Sequence, residues 1–475
     1  MSSYYRFRPI DRLLGKSREL ETQTIYFAGP DELNDPMEGR ADVMFRGDDI
    51  VWENLFRHFV ACLTWAVVAS ASGEDRPIRV VDMPIEDPLD SKVESVVRAI
   101  EELADRLVAT PEIQMLVAHL ANRGSPASES ELRFYLKQLH PAWTVAILDA
   151  LPGHPLGGNV SVATPPDVLA VVRATDETLA GMAGKSDVES RLEAMFQAAE
   201  VRAQQRNVHL WAKTDRPAGP NHRFVYLDFV DHYLTGLRRL LHPDWYTACF
   251  MDDVGNSAVW GHYANGHRDV CLKFRAKSVG ERHTLPLRVP AGFNREETLW
   301  STLDLEFQPV RYTDEGVRLN FFTAMGNLPV PMLNKVWRVS RTGKLSAIEQ
   351  EVHGDEHRWR AGYWQQFEAA ITRKNTEWAP EREHRLTFHS NILNLAPAGM
   401  RLMRYNFEDL EAIVFGIKTS DADKQALFQL VQAKCVATGR HDFEFFQAVR
   451  NAGSRQIELQ SLGHIRNTRP EPSTG

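Results

Sequence analysis

Trp245–Phe274, WYTACFMDDVGNSAVWGHYANGHRDVCLKF, decides how the chain reads. An apolar strand pattern passes through a short polar turn into an aromatic helix and leaves as a second apolar strand. Trp260, His262 and Tyr263 crowd large rings with polar atoms into one helical turn, and such atoms need partners when the rings are buried. The segment reads as the wall of a cleft.

Working outward, residues 4–8 and 24–28 read as short strands around a helix that starts near Asp11, whose acid is placed to cap the first turn. Asn34-Asp35-Pro36 closes this part with turn chemistry. From Ser91 the apolar period becomes helical through Val93, Val96, Val97, Ile100, Leu103 and Leu107. Further helices are expected at 111–122, 128–151, 177–211 and 224–241, broken at Gly124-Ser125-Pro126, Pro152-Gly153-His154-Pro155 and Pro217-Ala218-Gly219-Pro220. Strand patterns return at 246–250, 269–275, 309–312, 384–389 and 412–415. The expected fold is therefore α+β, a small mixed or antiparallel sheet core with flanking helices. Residues 1–63 and 242–465 are expected to form one discontinuous domain, 64–241 a large, mostly helical insertion, and 466–475 a flexible tail.

With 475 residues, 43% hydrophobic and 25% charged, the composition is that of a globular chain with room for two or three cores. A net charge of -8 speaks against a dedicated nucleic-acid surface, which needs clustered Lys and Arg. The start MSSYYRFRPIDRLL lacks the apolar run of a signal peptide, and no window is expected to span a membrane, so cytoplasmic residence with no membrane partner is the expectation. Cys62, Cys249, Cys271 and Cys435 are scattered without C-x-x-C spacing, which implies free thiols rather than a zinc ribbon or a disulfide framework.

Five ordered blocks carry a resemblance. They are Tyr5-Arg6-Phe7-Arg8 with Ile25-Tyr26-Phe27 and Leu33-Asn34-Asp35-Pro36; Trp260-Gly261-His262-Tyr263-Ala264; Val310-Arg311-Tyr312; Lys374 with Trp378, Glu381, Glu383 and Arg385; and Ile413-Val414-Phe415-Gly416-Ile417-Lys418. In this order they resemble the bacterial domain-of-unknown-function family 2971. The stretch 64–241 departs from that family, which passes from the first block to the aromatic one with far less chain. The resemblance implies a bacterial protein working in stress or phage defence, with an unidentified macromolecular acceptor as partner.

Glu381-Arg382-Glu383-His384-Arg385-Leu386-Thr387-Phe388 reads as a strand with Glu381, Glu383 and Arg385 on one face and Leu386 and Phe388 on the other. The charged face is either a solvated salt-bridge ladder or the floor of a site. Glu-x-Glu on a late strand with an Arg on the first strand resembles ADP-ribosyltransferases, although their middle Ser-Thr-Ser strand has no counterpart here. The resemblance implies NAD as substrate, with Arg8 on its pyrophosphate, a role that suits a planar guanidinium. Glu383, supported by Glu381 and Arg385, would stabilise the cation that develops on the ribose. Tyr26, Trp260, His262 and Tyr263 would bound the nicotinamide end, with His262 turned into the cleft as a third catalytic candidate. The competing readings are a snorkelling Arg8 and plain core packing for Trp260 and Tyr263.

Other patterns are weaker. His353-Gly354-Asp355-Glu356-His357 could pair two imidazoles on a metal if helical, but Gly354 and polar neighbours read as a loop, and no metal is expected. Leu14-Gly15-Lys16-Ser17 has Ile10 where a phosphate loop needs glycine. Gly416–Asp421 could offer amides to an anion, but an N-cap by Ser420 or Asp421 accounts for it. Three functions stay open: an NAD-using transferase or glycohydrolase, a non-catalytic nucleotide- or peptide-binding module, and a metal-dependent nuclease or phosphodiesterase.

Overall fold

A computed structural model describes residues 2–71, 76–150, 168–181, 188–213, 221–294, 297–453 and 456–464. The protein is α+β, and the chain forms two compact units, one of residues 1–40, 244–315 and 368–475, the other of 41–243 and 316–367. The expected 466–475 tail and the breaks at 152–155 and 217–220 lie outside the described residues.

The first unit is built on an eight-stranded sheet. Its order is Gln308–Pro309, Glu383–His389, Trp245–Met251, Ser3–Arg8, Val270–Arg275, Leu410–Phe415, Glu444–Arg450 and Ile457–His464. Every pairing is antiparallel except that of Leu410–Phe415 with Glu444–Arg450. That parallel pair needs a crossover, and the helix Asp421–Thr438 supplies it. Ser420 caps this helix, its Oγ accepting from the Asp423 N–H at 3.1 Å, and the Gly416, Lys418 and Thr419 amides donate to the Asp269, His267 and Gly416 carbonyls, so they serve the fold.

Trp245–Met251 is buried along nearly its whole length because the sheet is covered on both faces. On one face Tyr4, Phe250, Phe274, Leu386 and Ile413 pack with Leu285, Leu287 and Met403 of a second, five-stranded sheet and with Leu427 of the crossover helix. On the other, Phe7, Met251, Cys271 and Val414 lie under Trp260 of the helix Ser257–Tyr263. The helix at Ile10–Leu14 takes its cap from elsewhere than expected. Asp11 sits inside the first turn, and Asp269 Oδ1 accepts the Ile10 N–H at 3.1 Å.

The second unit centres on the helix Asp49–Ala71, whose Trp52, Phe56, Phe59 and Val60 are fully buried. Its 23 residues are long and apolar enough to cross a membrane by length and composition, which corrects the expectation that no window is. The apolar residues pack inside the unit, Phe59 against Tyr233 at 4.9 Å between ring centroids and Trp52 against Phe322 at 5.3 Å. The expected boundary at 63/64 falls within this helix. The chain enters the second unit at Ala41 because Asp42–Phe45 pairs with Arg318–Asn320 and Ala127–Ser128 there. The helix expected at 177–211 is replaced by Val168–Gly181 and Val188–Lys213.

Candidate functional site

Glu383 stands opposite Met251, which stands opposite Tyr5, and Arg385 stands opposite Cys249. With a side-chain period of two, Glu383, Arg385, Cys249 and Met251 share one face of the eight-stranded sheet. Leu386 and Phe388 are in the core behind it.

The strand starts at Glu383, so Glu381 is not on it, contrary to the ladder read from the sequence. Glu381 ends a 3-10 helix, Thr376–Glu381, and Arg382 then takes a left-handed conformation, φ 51 and ψ 47. This reversal turns both glutamates onto one ammonium group. Lys374 Nζ lies 2.7 Å from Glu381 Oε2, 3.3 Å from Glu383 Oε2 and 3.7 Å from Glu38 Oε1, and 4.4 Å above the Trp378 ring. Arg385 grips Glu383 from behind, Nε to Oε1 at 2.8 Å, donates to the Ile371 carbonyl at 2.6 Å and pairs with Glu38. The Tyr263 hydroxyl donates to Glu381 Oε1 at 2.6 Å, and the Glu383 N–H donates to the Tyr312 hydroxyl at 2.7 Å.

The cluster is not solvated. Glu38, Glu381 and Glu383 pair with Lys374 or Arg385, the charge of Asp35 also favours the Arg385 cation, and all six are buried. Burial pushes the Glu383 carboxyl up against the opposing pull of Lys374, and Glu381 adds to the rise. Burial also lowers Arg385 to about 9. For Lys374, burial works against the charge, but Glu383, Tyr263 and Glu381 outweigh it and the net shift is upward. The Cys249 thiol is raised by burial and then by Glu383. The arrangement thus sets a neutral thiol and a carboxyl with a raised pKa beside a firmly charged lysine.

In front of the cluster lies a cavity of about 220 Å³, and Arg8, Tyr26, Cys249, Tyr263, Lys374 and Glu383 are among its walls. Four of the expected residues therefore share one cavity. Arg8 is not free there, because it forks onto Glu19, with Nε 2.8 Å from Oε2. Tyr26 donates to Glu32 Oε1 at 2.7 Å.

Four expected residues do not line the cavity, and the first of them, Glu381, is held behind it by Lys374 and the Tyr263 hydroxyl. Trp260 is fully buried, its Nε1–H donating to the Val254 carbonyl at 2.7 Å and its ring edge-on to Phe7 at 4.9 Å, so it is core rather than ligand wall. Arg385 is likewise fully buried and holds Glu383 instead of touching a ligand. His262 points outward, exposed, beside Tyr263 at 4.8 Å and Asn34 at 3.4 Å.

Lys374, Glu38 and Cys249 were missing from the expected site. Glu38 gets its place from Gly39, whose φ of +67 and lack of a side chain suit a position where a Cβ would meet Trp245 at 2.1 Å. Among the described residues no group of three or more His, Cys, Asp or Glu is arranged to hold a metal ion. His353 ends one helix and bonds Glu349 at 2.8 Å, while His357 lies in the next helix, so the two imidazoles do not form a pair on one helix face. Comparison with protein-family models, with curated proteins and with solved structures finds no match to this chain.

Proposed function

We propose that the cavity takes the nicotinamide-ribose end of NAD and that the protein is an NAD-using transferase or glycohydrolase acting on a macromolecule. The observation that carries this reading is the meeting of Arg8, Tyr26, Tyr263 and Glu383 around one cavity. Its volume is below the several hundred Å³ of a drug-sized site, so it suits one end of a dinucleotide with the rest across the mouth.

The fixed carboxylate on the wall supports the same chemistry. Breaking the ribosyl-nicotinamide bond builds positive charge on the sugar, and Glu383, which shares the cavity wall with Glu38 and Glu32 as well as with Arg6, Arg8 and Lys374, is a fixed carboxylate that would stabilise that charge without reorganising. Glu383 is buried and fixed for that role by Arg385. Lys374 favours its ionised form while burial opposes it, and an arriving cation tips that balance toward the carboxylate. A pyrophosphate would have to share Arg8 with Glu19.

Incubation with NAD labelled on the nicotinamide, with and without cell lysate to supply a macromolecular acceptor besides water, tests this directly. Release of nicotinamide is expected from the wild type, with a fall on the order of a hundredfold in Glu383→Gln. No release in either condition, or equal rates in the two proteins, overturns the reading. A binding module is the second reading, favoured by one observation: Glu383 is already held by both Lys374 and Arg385. Calorimetric binding of NAD without turnover would select it.

A further inference from the structure

The second unit contains a cavity of about 470 Å³, within the range of small-molecule sites. Ala61 of the helix Asp49–Ala71, Ile100 and Ala104 of the helix Glu94–Val108, and Leu89 and Val336 line it. One wall is the π-helical turn Asn334–Arg338, a rare geometry concentrated at functional sites.

The charged residues at this cavity are already matched. Arg57 bonds Asp105 at 2.8 Å and Glu53 at 2.9 Å, Arg341 bonds Glu101 at 2.7 Å and Asp105 at 3.1 Å, and Lys335 is paired with Asp87. A charged ligand would have to break one of these pairs. His58 is also engaged on both ring nitrogens, by the Tyr233 hydroxyl at 2.9 Å and the Ile85 carbonyl at 3.0 Å. Asn54 donates to the Trp337 and Val339 carbonyls. What is left is the Asn334 side-chain oxygen, buried and without a hydrogen-bond partner among the described residues. Such an acceptor costs free energy until a donor meets it, and its terminal torsion is broad enough to turn it toward the cavity.

We propose that this cavity binds a small, uncharged, mainly apolar ligand that carries one hydrogen-bond donor, a hydroxyl or secondary amine, for Asn334 Oδ1. The apolar walls supply affinity and the single acceptor fixes orientation, while the paired charges among the lining residues discriminate against ions. The proposal does not rest on NAD chemistry.

N-phenyl-1-naphthylamine matches this description, and its fluorescence rises on leaving water. Titration into the full chain should give a saturable rise at one probe per chain. Ala104→Leu, which fills the cavity, should weaken binding at least about tenfold. Asn334→Leu, which removes the acceptor, should weaken it about tenfold as well, the effect of one unmet hydrogen bond in a buried site. Thermal melting by circular dichroism checks that each variant is folded. The absence of a saturable rise in the wild type overturns the proposal, as does unchanged affinity in a folded Ala104→Leu protein. If that variant does not fold, unchanged affinity in Asn334→Leu overturns it alone.

Discussion

Lys374→Met removes the ammonium group on which three carboxylates converge while keeping most of the side-chain volume. Lys374 is 4% exposed, with Glu381 at 2.7 Å and Glu383 at 3.3 Å, so solvent cannot replace the lost charge. Removing one partner of a buried pair costs about 3–5 kcal/mol. For a unit of this size that corresponds to a melting-temperature fall of roughly 6–20 °C. The loss should depend on pH. Glu383 already has a raised pKa, and without Lys374 it rises further. Above the ordinary Glu value of 4.5 the unfolded chain has released its proton while the folded variant keeps it. Stability of the variant therefore falls as pH rises, until folded Glu383 ionises as well. Calorimetric melts of wild type and variant at about pH 5 and about pH 8 should show the larger gap at the higher pH. A gap below about 1 kcal/mol at the higher pH, or one that shrinks as pH rises, refutes the argument that Lys374 holds the cluster together.

Three further outcomes are expected. His262→Ala should change stability by less than about 0.5 kcal/mol and leave NAD affinity within about twofold, because the ring is exposed outside the cavity; a tenfold loss of affinity would return His262 to the site. Trp260→Ala should cost about 3–5 kcal/mol in urea unfolding, the effect of emptying a fully buried indole, and a loss below about 1 kcal/mol would contradict its core role. Gly39→Ala should cost about 1–3 kcal/mol and lower nicotinamide release, since its φ is +67 and its Cβ would meet Trp245; unchanged melting and activity would show that the loop adapts freely.

The two-residue period of the late strand was enough to put Glu383 and Arg385 on a face away from Leu386 and Phe388, and the observed register keeps them there. The same period misplaced Glu381. A left-handed Arg382 carries no mark in composition, because non-glycine residues in that conformation are set by tertiary contacts such as its 2.7 Å pair with Asp252. Lys374 sits on a strand of two residues, Arg373–Lys374, too short to show any period. Cys249 lies in a run buried on both faces, where alternation cannot say which side a residue takes. Glu38 comes from a loop and depends on Gly39, a pair whose meaning appears only with Trp245 above it. Trp260 and Tyr263 were readable as aromatic helix residues, but which of them meets a cavity depends on how that helix sits on Phe7.

The place of Ser3–Arg8 in the middle of the eight-stranded sheet bears on how the protein is made. Both its neighbours, Trp245–Met251 and Val270–Arg275, are encoded about 240 residues or more downstream. At ribosomal rates of about 5–20 residues per second, this strand waits roughly 10–50 s for its partners. Unpaired strand edges are prone to aggregation during such an interval. A stalled or truncated nascent chain ending before Trp245 would leave Ser3–Arg8 without either partner, and with it the wall that carries Arg8. The cavity at Glu383 is thus completed late in synthesis, after the chain of the second unit up to Pro243 has already emerged.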